Sequence, residues 1–312
     1  MAGSASEVIK SLVVNLVIAA SKGVAAAITG SGTMLAETLH SFADCGNQVL
    51  LLVGIKQSHR PPDARHPFGY GRNMYFYSFI VALLLFSGGG VFSIYEGVHK
   101  LQQPEEVGDI LIAIVILGIS LALEGWATIG NIKVMNQRRG KTPFVQYLKE
   151  SKDSDLVVVF GENSAAVLGL VIAMIAVLMA KFTNDGRWDA VGSLAIGVVL
   201  VGVAIFLAGE IKALLVGEAA DPKLIEAVEQ IAEQTPNVED VIQILSTQQG
   251  PGEVLVAMKI KFKRGLAIDA LEDTINKFEA DLRAKIPEAK WCFIEPDREL
   301  SADDVGRHGA RS

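Results

Sequence analysis

Ala36-Glu37-Thr38-Leu39-His40-Ser41-Phe42-Ala43-Asp44 stands inside a hydrophobic stretch that runs from Met34 to Gly54. A helix needs roughly 20 apolar residues to cross the hydrocarbon core, and this stretch is long enough. An ionisable group inside a span costs about 3 kcal/mol on insertion scales and persists there for function or pairing. His40 and Asp44 are four residues apart, so a helix sets them on one face, with Glu37 three residues before His40 on the same side as a possible accessory ligand. An imidazole and a carboxylate so placed can grip one divalent cation. A lone intramembrane histidine would more simply be a hydrogen-bonded packing residue; the His–x3–Asp pair moves the reading to an ion site.

Comparable stretches flank this one: Val8 to Thr29 before it, then Tyr75 to Val98, Ile110 to Ile132, Leu156 to Met179 and Ala190 to Leu215. The first is too long for a signal-peptide core and lacks a small-residue cleavage site, so it is expected to stay in the protein. Six spans of roughly 22 residues use about 130 residues and leave the remainder for loops and a small domain. That division fits a chain of 312 residues that is 50% hydrophobic and still 20% charged. Disorder and a collagen-like chain are excluded by composition. Two cysteines, Cys45 and Cys292, far apart in sequence, give neither a disulfide scaffold nor a CxxC redox or zinc motif. A net charge of −7 argues against a nucleic-acid binder.

Lysine and arginine placement sets the expected orientation. The second-to-third connection carries Lys56, Arg60, Arg65 and Arg72, and the fourth-to-fifth carries Lys133, Arg138, Arg139, Lys141, Lys149 and Lys152. In the other two links acids oppose the basic residues: Glu105, Glu106 and Asp109 against Lys100, and Asp185 and Asp189 against Lys181 and Arg187. The basic loops belong in the cytoplasm, and with them both termini; a bacterial inner membrane is the expected host.

Other spans also hold polar groups. The fifth contributes Glu162 and Asn163 within Phe160-Gly161-Glu162-Asn163-Ser164, and the fourth contributes Glu124. Glu124 reads equally as an accessory ligand or as a structural partner of Asn131, Lys133 or a backbone group. Glycines at 30 and 32, at 88 to 90, and at 192, 197 and 202 permit turns and close helix approach.

After Leu215 the composition changes. Asp221 as N-cap and Pro222 at the first helical position open a helix to about Gln234. Val238 to Thr247 and Val254 to Phe262 read as strands joined through Gly250-Pro251-Gly252, followed by a helix from Ile268 to Ile286 and a strand from Lys290 to Ile294. The order α-β-β-α-β predicts a small cytoplasmic α+β domain, residues 217–297, behind a six-helix transmembrane domain, residues 1–216. It holds no histidine, the next in the chain being His308, so dimerisation is its expected task. Residues 298–312 are polar and expected to be disordered.

Two motifs carry a family resemblance. Thr29-Gly30-Ser31-Gly32 followed by Leu35 to Asp44 resembles the second-helix signature of the cation diffusion facilitator family. His66-Pro67-Phe68-Gly69-Tyr70-Gly71-Arg72 is similar to that family's loop signature after helix two. The resemblance covers nearly the whole chain and implies a homodimeric exporter of divalent metal, most often zinc, driven by proton antiport, with the ion site between helices two and five. In the family the fifth helix offers a His or Asp and, four residues later, an Asp. Here Asn163 stands at the Asp position with Glu162 beside it, as in the branch that includes a mitochondrial zinc transporter of animals. The loop keeps Asp63 and His66 as a possible second metal site, with Tyr70 where many members place another His.

Zinc favours four ligands of His nitrogen and carboxylate oxygen. His40, Asp44 and Glu162 can supply three, with Asn163 or water as the fourth. Adjacent helical positions diverge by about 100°, so Glu162 and Asn163 do not both aim at one ion. Manganese, iron, cobalt or cadmium remain alternatives, since carboxylate, amide and water suit several of them. The metal is substrate and the proton counter-ion; no permanently bound cofactor is expected, and the expected partners are a second copy and membrane lipid. A non-transporting scaffold would keep the spans without needing His40 and Asp44. An enzyme would need a nucleophile or a closed catalytic constellation, and the sequence shows neither.

Overall fold

Each hydrophobic stretch forms a helix longer than itself in the computed structural model, which describes residues 2–103, 110–150 and 154–298. The expected disordered tail falls outside the described residues from 299 onward, as do Glu105, Glu106, Asp109 and Lys152. The chain divides into two units, one made of residues 1–60 and 73–212, the other of residues 61–72 and 213–312.

The first unit contains α1 (Ala2–Thr29), α2 (Gly32–Ser58), α3 (Asn73–Leu84), α4 (Phe92–Gln102), α5 (Ile110–Arg139), the short α6 (Phe144–Glu150), α7 (Ser154–Thr183) and α8 (Arg187–Val216). A π-helical turn, Leu85–Val91, joins α3 to α4 and holds the three successive glycines. There Gly90 lets the backbone approach α8: a Cβ at Gly90 would sit 3.1 Å from the Val201 nitrogen and 3.3 Å from the Gly197 carbonyl oxygen.

Among the described residues, four helical segments are long and apolar enough to cross a membrane: Asn73–Gln102, Leu111–Arg139, Val159–Thr183 and Arg187–Val216. α1 contributes the shorter apolar stretch Asn15–Thr29. α2 has the length, 27 residues. Its mean hydropathy is lowered by Glu37, His40, Ser41, Asp44, Asn47 and Gln48. These polar residues lie along the inner side of α2, while Phe42 and Val49 are exposed on the outer side. The outer surface of the unit is apolar elsewhere too, with Val17 and Val24 on α1 and Ile119 and Trp126 on α5.

The turn between α1 and α2 explains its glycine-rich motif. Gly30 has φ +65°, a left-handed conformation that suits glycine. Ser31 caps α2, its Oγ accepting from the Met34 N–H at 3.2 Å. The remaining orphan donors find Asp189 near the start of α8: Ser31 Oγ donates at 2.5 Å, Gly32 N–H at 2.6 Å and Thr33 N–H at 3.3 Å. A buried carboxylate there also answers the partial positive charge of the helix N-terminus. Lys100 of α4 completes the clasp, 3.8 Å from Asp189 Oδ2 and donating to the Gly30 carbonyl. The outcome is that α2 is anchored at its first turn to both α4 and α8.

The second unit contains α9 (Pro222–Gln234), β1 (Val238–Gly250), β2 (Glu253–Phe262), α10 (Ile268–Lys285) and β3 (Ala289–Pro296). β2 lies in the middle of the sheet, antiparallel to β1 and parallel to β3. Its alternation buries Val254, Val256, Met258 and Ile260 against Leu224, Val228 and Ile231 of α9 and Phe278 and Leu282 of α10. With both helices on one face, the other face leaves Leu245 and Phe293 exposed. The loop signature, residues 66–72, belongs to this unit. Phe68 meets the Trp291 ring edge-on at 5.7 Å, and Gly71 lies so close to Gly250 that a Cβ on Gly250 would be 2.7 Å from the Gly71 Cα.

Candidate metal-transport site

α1 presents Ala19, Lys22, Ala25, Ala26 and Thr29 as a buried face of small residues broken by one lysine. The small side chains let α2 come close; a Cβ at Gly23 would lie 3.3 Å from the Thr38 methyl. On α2 the positions 37, 40, 44 and 47 recur at helical spacing, so Glu37, His40, Asp44 and Asn47 form one polar stripe.

Within that stripe His40 is fully buried and Asp44 one-fifth exposed, with Nε2 3.8 Å from Oδ2. Among the described residues neither ring nitrogen of His40 has a hydrogen-bond partner. A buried imidazole normally donates or accepts at least once, so two idle nitrogens beside a carboxylate make His40 the candidate ligand on α2.

α7 brings Glu162 to α2, where its carboxylate receives the Asn47 side-chain amide. Asn47 is the site residue missed by the sequence reading. Its signal was present, since it lies three residues beyond Asp44 and seven beyond His40 on the same face. Asn163 is half-buried and turned from Glu162 by the helix pitch; its backbone carbonyl accepts from Thr128 Oγ1 of α5 at 3.4 Å. Glu124 is also half-buried on α5, and its backbone carbonyl takes the same Thr128 hydroxyl at 2.8 Å.

Glu37 is engaged elsewhere: Lys22 Nζ stands 3.1 Å from its Oε2. Among the described residues no three His, Cys, Asp or Glu side chains converge tightly enough to hold an ion together. Binding by His40, Asp44 and Glu162 therefore requires α2 and α7 to adjust, with Glu162 leaving Asn47.

The loop pair lies in the other unit. His66 Nδ1 is 3.6 Å from Asp63 Oδ1. Asp63 organises the loop, accepting from Tyr70 Oη at 2.6 Å and from the N–H groups of His66 and Arg65 at 2.8 and 2.9 Å. The Tyr70 hydroxyl, then the His66 N–H, hold its carboxyl below the usual range. Tyr70 thus fills the place of a further histidine with a hydrogen bond to Asp63.

The cation efflux transmembrane domain matches residues 8–216, every helix from α1 to α8. The chain belongs to the cation efflux family. It is 34% identical over 237 residues to the mitochondrial proton-coupled zinc antiporter SLC30A9 of Xenopus laevis, covering 75% of this chain and 42% of that protein. The human SLC30A9 protein is 31% identical over 283 residues, 89% of this chain and 50% of that protein. Metal tolerance protein C4 of Arabidopsis thaliana is 31% identical over 243 residues, 77% of this chain and 53% of that protein. The chain thus spans about half the length of these relatives. Its family is one of membrane transporters, not enzymes, and the small three-stranded domain follows the matched segment.

Proposed function

We propose that this cation efflux protein moves a divalent metal, zinc first, across a membrane in exchange for protons. The observation that carries the proposal is His40: a fully buried imidazole, both nitrogens idle among the described residues, one turn from Asp44 inside α2. The relatives named as proton-coupled zinc antiporters support the same reading. The ligand set is His40 nitrogen with oxygens from Asp44 and Glu162, and Asn163 or water fourth, a set suited to zinc. One imidazole among oxygen donors also suits manganese, iron or cobalt, which are the alternative cargo.

The proton coupling follows from the ligands. Metal needs neutral imidazole and ionised carboxylates, so a cation entering displaces protons and protons entering displace the cation. Exposing the site to one side and then the other turns this exchange into antiport. The helices α1, α2, α3–α4, α5, α7 and α8 act as six spans, with the basic loops and the α+β unit, residues 217–297, in the cytoplasm. The protein works as a homodimer, paired through the sheet face that presents Leu245 and Phe293. Asp63 and His66 form an accessory cation site of low affinity, because two ligands with a carboxylate already accepting three hydrogen bonds hold an ion weakly.

The test is zinc-driven proton flux in proteoliposomes. Wild type is expected to acidify or alkalinise the lumen according to the zinc gradient, and D44A to be silent.

A further inference from the structure

Lys22 and Glu37 are two charged residues that the transport scheme leaves unused. Both are fully buried, with Nζ 3.1 Å from Oε2. Lys22 also donates to Ser41 Oγ at 2.8 Å, and Ser41 adjoins His40. The second oxygen of Glu37 is buried without a hydrogen-bond partner among the described residues and lies against Gly169 of α7, where an added Cβ would collide with it. Gly169 is seven residues, or two turns, beyond Glu162. Glu37, on α2 one turn from His40, therefore turns its second oxygen, which has no hydrogen-bond partner among the described residues, to α7.

A fully buried ammonium is costly, and replacing an ion pair by apolar residues often stabilises a protein. The retention of Lys22 beside a cation site therefore calls for a reason beyond stability. Position supplies one. An unpaired Glu37 would be a third strong carboxylate at the site, beside Asp44 and Glu162, one helical turn from His40 and placed to enter the ligand set and raise the affinity for a divalent ion. A transporter must release its cargo as well as bind it.

We propose that Lys22 is the charge-setting residue of the transport site: by occupying Glu37 it keeps that carboxylate out of the ligand set, so that the cation is held by His40, Asp44 and Glu162 loosely enough to leave. This rests on the transport reading above. Lys22 acts through its fixed charge and its hydrogen bonds to Glu37 and Ser41, as a positioning residue that does not touch the metal.

The test is zinc titration of the purified full-length protein by competition with a fluorescent chelator, together with zinc flux in proteoliposomes. K22M is expected to tighten zinc binding at least tenfold and to lower flux, because dissociation slows. Adding E37Q to K22M is expected to remove that tightening, and K22R to bind and transport as wild type does. Loss of packing alone would weaken binding, so tightening separates the charge role from a structural one. If K22M does not fold, K22Q, which removes the ammonium charge that holds Glu37 and keeps a polar group beside Ser41, is read in its place with tightening expected in the same direction. Unchanged or weakened zinc binding in K22M or K22Q overturns the proposal, as does tightening that persists in K22M/E37Q. D44A is run in parallel: zinc binding intact there overturns the transport site and this inference together, whereas binding lost in D44A with no tightening in K22M overturns this inference alone.

Discussion

The side-chain amide of Asn47 on α2 donates to the carboxylate of Glu162 on α7, joining the two helices that supply the proposed ligands across 115 residues of sequence. Glu162 is 8% exposed. A carboxylate that deep needs a donor or a cation, and in the described arrangement Asn47 is the donor. On the proposed ligand set, the cation and Asn47 compete for one group. On that proposal, taking up metal exchanges a bond between α2 and α7 for a shared ion.

Asn47→Ala is expected to strand the Glu162 carboxylate and lower stability by about 1–3 kcal/mol. Glu162→Gln is expected to weaken zinc binding at least tenfold, about 1.4 kcal/mol, by removing one of the charges that balance the ion. The stability losses of the two single changes should not add in N47A/E162Q, since both act on the same bond, one removing its donor and the other the charge of its acceptor; a coupling of about 0.5–3 kcal/mol is expected. Thermal melts of the purified variants, with and without zinc, read both effects. Strict additivity would show that the bond is not formed in solution.

Asp189→Ala should release the first turn of α2. The change removes the acceptor of three donors and the partner of Lys100, so a loss of about 2 kcal/mol is expected. Asp189→Asn keeps an acceptor without the charge and should fall between that variant and wild type. Zinc flux should decline in the same order, because α2 carries His40 and Asp44. Melting curves and flux measured on the same preparations check the order.

The parts of this molecule that the sequence makes legible are those with a local period. His40 and Asp44 meet because a helix turns once in about four residues, and β2 is readable because its apolar residues alternate. The parts that were not legible are pairings across the fold. Lys22 sits in an apolar stretch with nothing nearby to name Glu37 as its partner, 15 residues on and in another helix. Asp189 reads as a loop acid offsetting nearby basic residues, yet it receives the start of α2 from 158 residues earlier. Asn47 is intermediate: its spacing from His40 was readable, but its reason for being there, Glu162, was not.

Cys292 offers a check on the second unit. It is buried at the sheet, and burial, with Glu279 nearby, pushes its thiol up to about 12. At pH 8 only about one molecule in ten thousand would carry the thiolate, which is the form that alkylating reagents attack. Iodoacetamide should leave Cys292 unmodified in the native protein and label it fully in denaturant. Mass spectrometry of the peptide carrying Trp291 and Cys292 reads the outcome, and rapid native labelling would contradict the packing described.

The loop around Asp63 should respond to acid with a defined sign. Its carboxyl is held low by Tyr70 first and then by the His66 N–H. A group lowered in the folded state contributes stability that is present above its unfolded pKa and lost as pH falls through the folded one. The loop should therefore stay closed through the ordinary carboxylate range and open below it. Tyr70→Phe should move the opening to higher pH. Hydrogen exchange of the Arg65 and His66 amides across an acid series measures the shift; identical profiles for both proteins would contradict the role given to Tyr70.

The most direct measurement is zinc-dependent proton flux in proteoliposomes, recorded with a pH-sensitive dye inside the vesicles, for wild type, H40A and D44A at matched protein content. Wild type should show a proton signal that follows each imposed zinc gradient and reverses with it. Both variants should be silent while remaining folded by size-exclusion chromatography. Proton flux of wild-type size in both H40A and D44A would contradict a transport site built on α2.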